Sequence, residues 1–117
     1  MNLPDSQPSF TFMHNSQEFF IWVWLDDDQN VYQLSLAKEQ AGKFDNLVNE
    51  SFPKPVSETE LGLKNYFNEK FLPKVNRYLA SILEPDLTFP EAGILFEKFN
   101  WIIENSLSYQ NGQVKAL

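Results

Sequence analysis

Apolar and polar residues alternate along three stretches in the first third of the chain, at 8–14, 17–25 and 31–37. A period of two puts every second side chain on one face of an extended strand, so the pattern predicts three strands in an antiparallel meander. Asn15-Ser16 and the Asp28-Gln29 region supply the turns. If Asn15-Ser16 is a two-residue loop, Phe12 faces Phe19 and Phe10 faces Ile21, with Thr11 opposite Phe20 and Ser9 opposite Trp22. The second turn sets Leu25 against Tyr32, Val23 against Leu34 and Ile21 against Leu36. Both pairings collect Phe10, Phe12, Phe19, Ile21, Val23, Leu25, Tyr32, Leu34 and Leu36 on one apolar face. A slip of one residue in either would destroy the match.

The other face receives Phe20, Trp22 and Trp24 among Ser9, Thr11, Met13, Glu18, Gln33, Ser35 and Ala37. A strand apolar on both sides is usually covered on both, but a cover here would desolvate the polar neighbours. Two arrangements stay open. Three helices can cover one face and drape over part of the other, which would make the tryptophans core, or the polar neighbours keep this face at least partly wet.

Helical periods follow. Residues 37–52, AKEQAGKFDNLVNESF, space Ala41, Phe44, Leu47 and Val48 at three and four, with Glu39 and Lys43 four apart on the outside. This predicts a helix, ended at Phe52-Pro53-Lys54-Pro55 because proline disfavours helix in the residue before it. Ser57 to Glu60 has capping-box spacing, and Leu63, Phe67, Phe71, Val75, Tyr78 and Ile82 trace a second helical stripe, which Pro73 must kink or split. Thr88 to Glu91 repeats the cap. The helix it opens carries Ile94, Leu95, Phe96, Phe99, Trp101, Ile102 and Ile103 around most of its circumference, which predicts burial on several sides. The tail SLSYQNGQVKAL admits two readings. One is a helix ending near Gly112; the other is an Asn-Gly hairpin pairing Tyr109 with Val114 and Leu107 with Ala116. Together these elements describe a single α+β domain over residues 1–117: a three-stranded antiparallel meander, three helices, and either a helical or a hairpin C-terminus.

With 117 residues, 43% hydrophobic and 15% aromatic, the chain can bury a core of its own. It has no cysteine, which excludes disulfides, zinc thiolate sites and thiol catalysis. The segment MNLPDSQPSF has neither a basic residue nor an apolar run, and no window approaches the roughly 18 apolar residues of a membrane span. A cytoplasmic, membrane-free protein is expected.

Charge narrows the choice of partner. The formal net charge is -7 and the pI about 4.5. Residues 1–37 contain Asp5, Glu18, Asp26, Asp27 and Asp28 and no Lys or Arg. Such a surface repels nucleic acid and anionic lipid and draws in basic proteins.

Catalytic equipment is thin. Asp26, Asp28 and Asn30 open like a calcium loop, but Val31 stands where the glycine belongs and Ala37 where the closing glutamate belongs, so a solvated turn is the better reading and no metal is expected. His14 is the single histidine and has no nucleophile or second acid beside it in sequence, which reads as a surface residue at a turn. The four glycines do not cluster, so no phosphate-binding loop forms and no cofactor is expected.

The combination predicts a non-enzymatic protein-binding module. Glu18, Phe20, Trp22, Trp24, Asp26, Asp27, Asp28 and Gln33 would form the partner-binding face, with aromatic anchors inside an acidic rim. In size and charge the chain resembles inhibitory proteins such as bacterial immunity proteins, which neutralise nuclease toxins, and anti-restriction proteins. That resemblance implies a basic partner, such as a toxin or nuclease, that is blocked by docking, and it carries no residue across. The alternative is a small-ligand or carbohydrate-binding domain using exposed tryptophans as a stacking wall. Closure of the aromatic face into a homodimer is the third arrangement the sequence allows.

Overall fold

The computed structural model describes residues 3, 7–26 and 28–105, with the backbone of 109–110 and 113–114. Four strands form one antiparallel sheet in the order β1 (Phe10–His14), β2 (Gln17–Asp26), β3 (Val31–Gln40) and β4 (Lys43–Pro53). The first two hairpins have the expected register: Phe12 pairs with Phe19, Phe10 with Ile21, Leu25 with Tyr32, Val23 with Leu34 and Ile21 with Leu36. Asn15 and Ser16 both have positive φ, at 50° and 65°, which gives the two-residue turn the twist its strands need.

The fourth strand corrects the sequence reading, which expected a helix over 37–52. Strand β3 runs on to Gln40, Ala41 and Gly42 turn with φ of 52° and 77°, and the chain returns as β4. The helical appearance comes from a bulge. Leu36 pairs with Val48 but Ala37 pairs with Asn46, so Leu47 is an extra residue that breaks the period of two. Beyond it Val48, Glu50 and Phe52 alternate normally and face the core beside Leu36, Leu34 and Tyr32.

All the helical mass lies against that apolar face. After α1 (Lys54–Ser57), α2 (Glu60–Tyr66) continues through a wide π-helical turn (Phe67–Phe71) into α3 (Leu72–Ser81). The helix cap is Thr59, not Ser57: Thr59 Oγ1 accepts the Gly62 amide, while the buried Ser57 hydroxyl donates to the Lys54 carbonyl. Buried residues recur every four positions, Leu63, Phe67, Phe71, Val75 and Leu79. A regular helix of 3.6 residues per turn would rotate that stripe by about 40° per step. The wide turn takes up the drift and also receives Pro73, which has no amide to give a regular helix. Proline therefore produces neither a sharp kink nor a break. Helix α3 ends before Ile82, which is exposed; Leu79 takes the place in the stripe that the sequence reading gave to Tyr78 and Ile82.

The last helix, α4 (Phe89–Asn105), opens with the expected reciprocal cap: the Thr88 amide donates to Glu91 Oε1 and the Glu91 amide to Thr88 Oγ1. Leu95, Phe96, Phe99, Ile102 and Ile103 join Phe52, Phe67 and Phe71 in a core rich in tilted ring contacts. At the C-terminus β5 (Tyr109–Gln110) and β6 (Gln113–Val114) pair Tyr109 with Val114, the register of the hairpin reading; Leu107 and Ala116 lie outside the described residues. Among the described residues no helix is long and apolar enough to cross a membrane.

Ala41 pays for a left-handed backbone without the side chain that tolerates it. Ala41→Asn, which creates the Asn-Gly pair favoured in such turns, should raise unfolding stability by roughly 0.5–1 kcal/mol, measured by urea denaturation.

Candidate interaction groove

The outer face of the sheet does not present the aromatic row as one accessible surface. Trp22 is only 3% exposed, and Gln33, expected in the rim, is fully covered. Phe44 of β4 stands edge-on to both Phe20 and Trp22 at 4.9 and 5.0 Å, and β6 runs against β2. Of the polar residues that argued for a wet face, Thr11 and Glu18 are exposed and Ser9 bonds the Val23 backbone. Gln33 and Ser35 are covered and bonded to β4, with no partner for Gln33 Nε2 among the described residues. Gln33 Oε1 accepts from Ser51 and Asn49, and the Ser35 hydroxyl donates to Asn49 Oδ1. A residue that sequence reading placed in a helix, Asn49, thus completes a ladder across β3 and β4. Phe20, Trp24 and Asp26 are half-buried, Glu18 and Asp28 are exposed, and Asp27 lies outside the described residues. Asp26 accepts the Gln29 amide within its own turn.

His14 is not a surface residue; it is 4% exposed. Its Nδ1 lies 2.7 Å from Glu91 Oε2 and its Nε2 2.9 Å from the Pro85 carbonyl. The Glu91 carboxylate and the Pro85 carbonyl both accept, so the two bonds are satisfied together by the imidazolium form, which, against the cost of burial, these neighbours favour by raising the pKa. Asn15 and Gln17 donate to the two oxygens of Glu84, and Lys38 donates to Gln17. The β1–β2 turn is thereby clasped to the loop between α3 and α4. With both ring nitrogens engaged by the chain itself, His14 ties β1 to the segment that opens α4.

Among the described residues most of the exposed large apolar side chains lie on the helical side, with Met13 and Phe44 exposed on the sheet. Helix α4 is covered by the sheet along Leu95, Phe99, Ile102 and Ile103, and its outer side stays open, contrary to the expected burial on several sides. The cause is the segment that became β4: it widened the sheet and added no helix to cover α4. A trough of about 530 Å³ runs between α4 and the α2–α3 helix. Its apolar lining comes from Leu72, Leu87, Ala92 and Phe96, and Phe89 and Trp101 stand at either end, 95% and 46% exposed. Glu60, Lys64, Asn68, Glu97, Asn100 and Glu104 supply the polar lining, acidic overall. A concave, mostly apolar depression with a few polar groups in its lining and accessible aromatics at its ends is the usual form of an interaction site. Sequence reading missed it because Trp101 sits among apolar residues that read as core and Phe89 reads only as part of the Thr88 cap.

The clasp should give stability a pH signature. Burial disfavours the charge on His14, but the Glu91 hydrogen bond, the Pro85 carbonyl and the Glu91 and Glu84 charges outweigh it and raise the pKa above 6.5. Its contribution is therefore complete below about pH 6.5 and lost as pH rises through the folded value. Burial pushes Glu91 upward, but the Thr88 amide and His14 prevail and hold it below 4.5, so its contribution is complete above about pH 4.5 and lost as pH falls through the folded value. The clasp is strongest between those limits. His14→Gln should cost about 2 kcal/mol at pH 5.5 and less at pH 8.5, with urea midpoints of both proteins as the measurement; an equal loss at both values would refute the charged pair. No family model, curated protein or solved structure matches the chain.

Proposed function

We propose that the chain is a non-enzymatic protein-binding module that engages a basic partner through the groove between α4 and the α2–α3 helix. The observation that carries this reading is the pair of exposed aromatics, Phe89 and Trp101, at the ends of a trough whose lining is part apolar and part acidic. Aromatic side chains able to bury large areas are the usual anchors of protein interfaces, and surrounding charge selects and steers the partner. The net charge of -7 supports a basic partner. Blocking that partner by occupying its surface, as an immunity-type protein blocks a nuclease toxin, is the activity consistent with these features. The sheet face is the second surface with aromatic character, at Phe20 and Trp24. A carbohydrate-stacking wall there has less support, because its central ring, Trp22, is covered.

The test is selection of binders from a peptide display library, followed by titration against surface variants. Phe89→Ser with Trp101→Ser should weaken the selected binders by about 2 kcal/mol or more, with the fold retained by circular dichroism. Unchanged affinity in that variant, with loss in Phe20→Ser and Trp24→Ser, would move the interface to the sheet.

A further inference from the structure

Resting on that reading of the groove, we propose that its occupant is an amphipathic α-helix of about three turns, flanked by Lys and Arg, contributed by a partner protein and crossing α4 at Gly93. Three observations support a helix of this chemistry. Both walls of the trough are helical, so they present side chains and no open backbone edge, and the lining mixes Leu72, Leu87, Ala92 and Phe96 with Glu60, Lys64, Asn68, Glu97, Asn100 and Glu104. An extended segment laid there would bury its own amides without partners, whereas a helix arrives with them satisfied.

Gly93 is the second observation. It sits inside α4 with nothing within 4 Å of where a Cβ would stand, and helix propensity disfavours glycine, so the fold itself gains nothing from it. Gly62 is different: a Cβ there would meet the Val56 carbonyl at 2.7 Å and Thr59 Oγ1 at 2.8 Å. Gly62 is needed by the chain's own packing. Gly93 leaves space on the groove side beside Ala92, where two helices can approach to the short end of the packing range.

Length and charge complete the description. At about 1.5 Å per residue, Phe89 and Trp101 stand roughly 18 Å apart along α4, the length of a three-turn helix. Glu60, Glu97 and Glu104 face the groove against Lys64 alone, so the flanks of the ligand should be basic. A second copy of this chain would set the same acids against themselves.

Three labelled peptides of 14 residues provide the test by fluorescence anisotropy: one with leucines at i, i+4, i+7 and i+11 and lysine or arginine elsewhere, one with two central prolines, and one with the basic residues changed to glutamate. The first should bind the full chain at least tenfold more tightly than the others. Gly93→Leu should weaken it at least tenfold while the melting temperature stays at or above that of the parent. Equal binding by the proline peptide, if lost in the Phe89→Ser, Trp101→Ser variant, would leave the groove standing and remove the helix. Binding insensitive to both sets of substitutions, or no preference for the basic peptide, would overturn the proposal. So would a concentration-dependent elution volume of the free chain abolished by Gly93→Leu, because that result assigns the groove to a second copy.

Discussion

The two-residue period of β2 is the constraint on which the rest of the molecule depends. Phe19, Ile21, Val23 and Leu25 point to one side, all of them buried, and both flanking strands are held in the single register that continues this surface. Once that surface exists, every helix in the chain has one place to put its apolar stripe. Leu63, Phe67, Phe71, Val75 and Leu79 meet it from one helix and Leu95, Phe99 and Ile102 from the other. Two helices side by side on one sheet necessarily leave a furrow between them on the side away from the strands. The groove therefore follows from the same alternation that sets the core.

Polar contacts then secure the orientation that hydrophobic burial leaves loose. At one end of the sheet the His14 imidazolium and Glu91 tie β1 to the start of α4, and Glu84 holds the same turn through Asn15 and Gln17. Further along, Glu50 sits among core-facing positions of β4 and is paired with Lys74 of α3. Burial, with the Glu50 charge and hydrogen bond adding to it, pushes the Tyr66 hydroxyl above its ordinary pKa, so that group stays neutral beside the carboxylate. Each contact joins the sheet or its turns to the helical half of the chain, and hydrogen-bonded groups of this kind discriminate between alternative packings more sharply than apolar area does.

The reach of the sequence differs from one element to the next for identifiable reasons. Hairpin registers were legible because pairing errors would have carried apolar residues to the wrong face, and the Thr88 cap because its chemistry is local. Strand β4 was not, since the extra residue at Leu47 moved the apolar positions into a spacing that imitates a helix. That error propagated: with a helix assumed over 37–52, nothing in the pattern of α4 distinguished core positions from Ile94 and Trp101 outside it. His14 escaped for another reason. Its partners Pro85 and Glu91 are more than seventy residues away, and no local signal announces such a pairing.

The π-helical turn at Phe67–Phe71 has a consequence for how this chain can vary. It amounts to one residue inserted into an otherwise regular helix, and the insertion is what keeps Val75 and Leu79 in phase with Leu63. Deleting a residue there would rotate everything downstream by about 100° and swing those side chains off the sheet. Length at this point is therefore fixed by geometry, and divergence of the helix must proceed by exchange of side chains and not by gain or loss of residues.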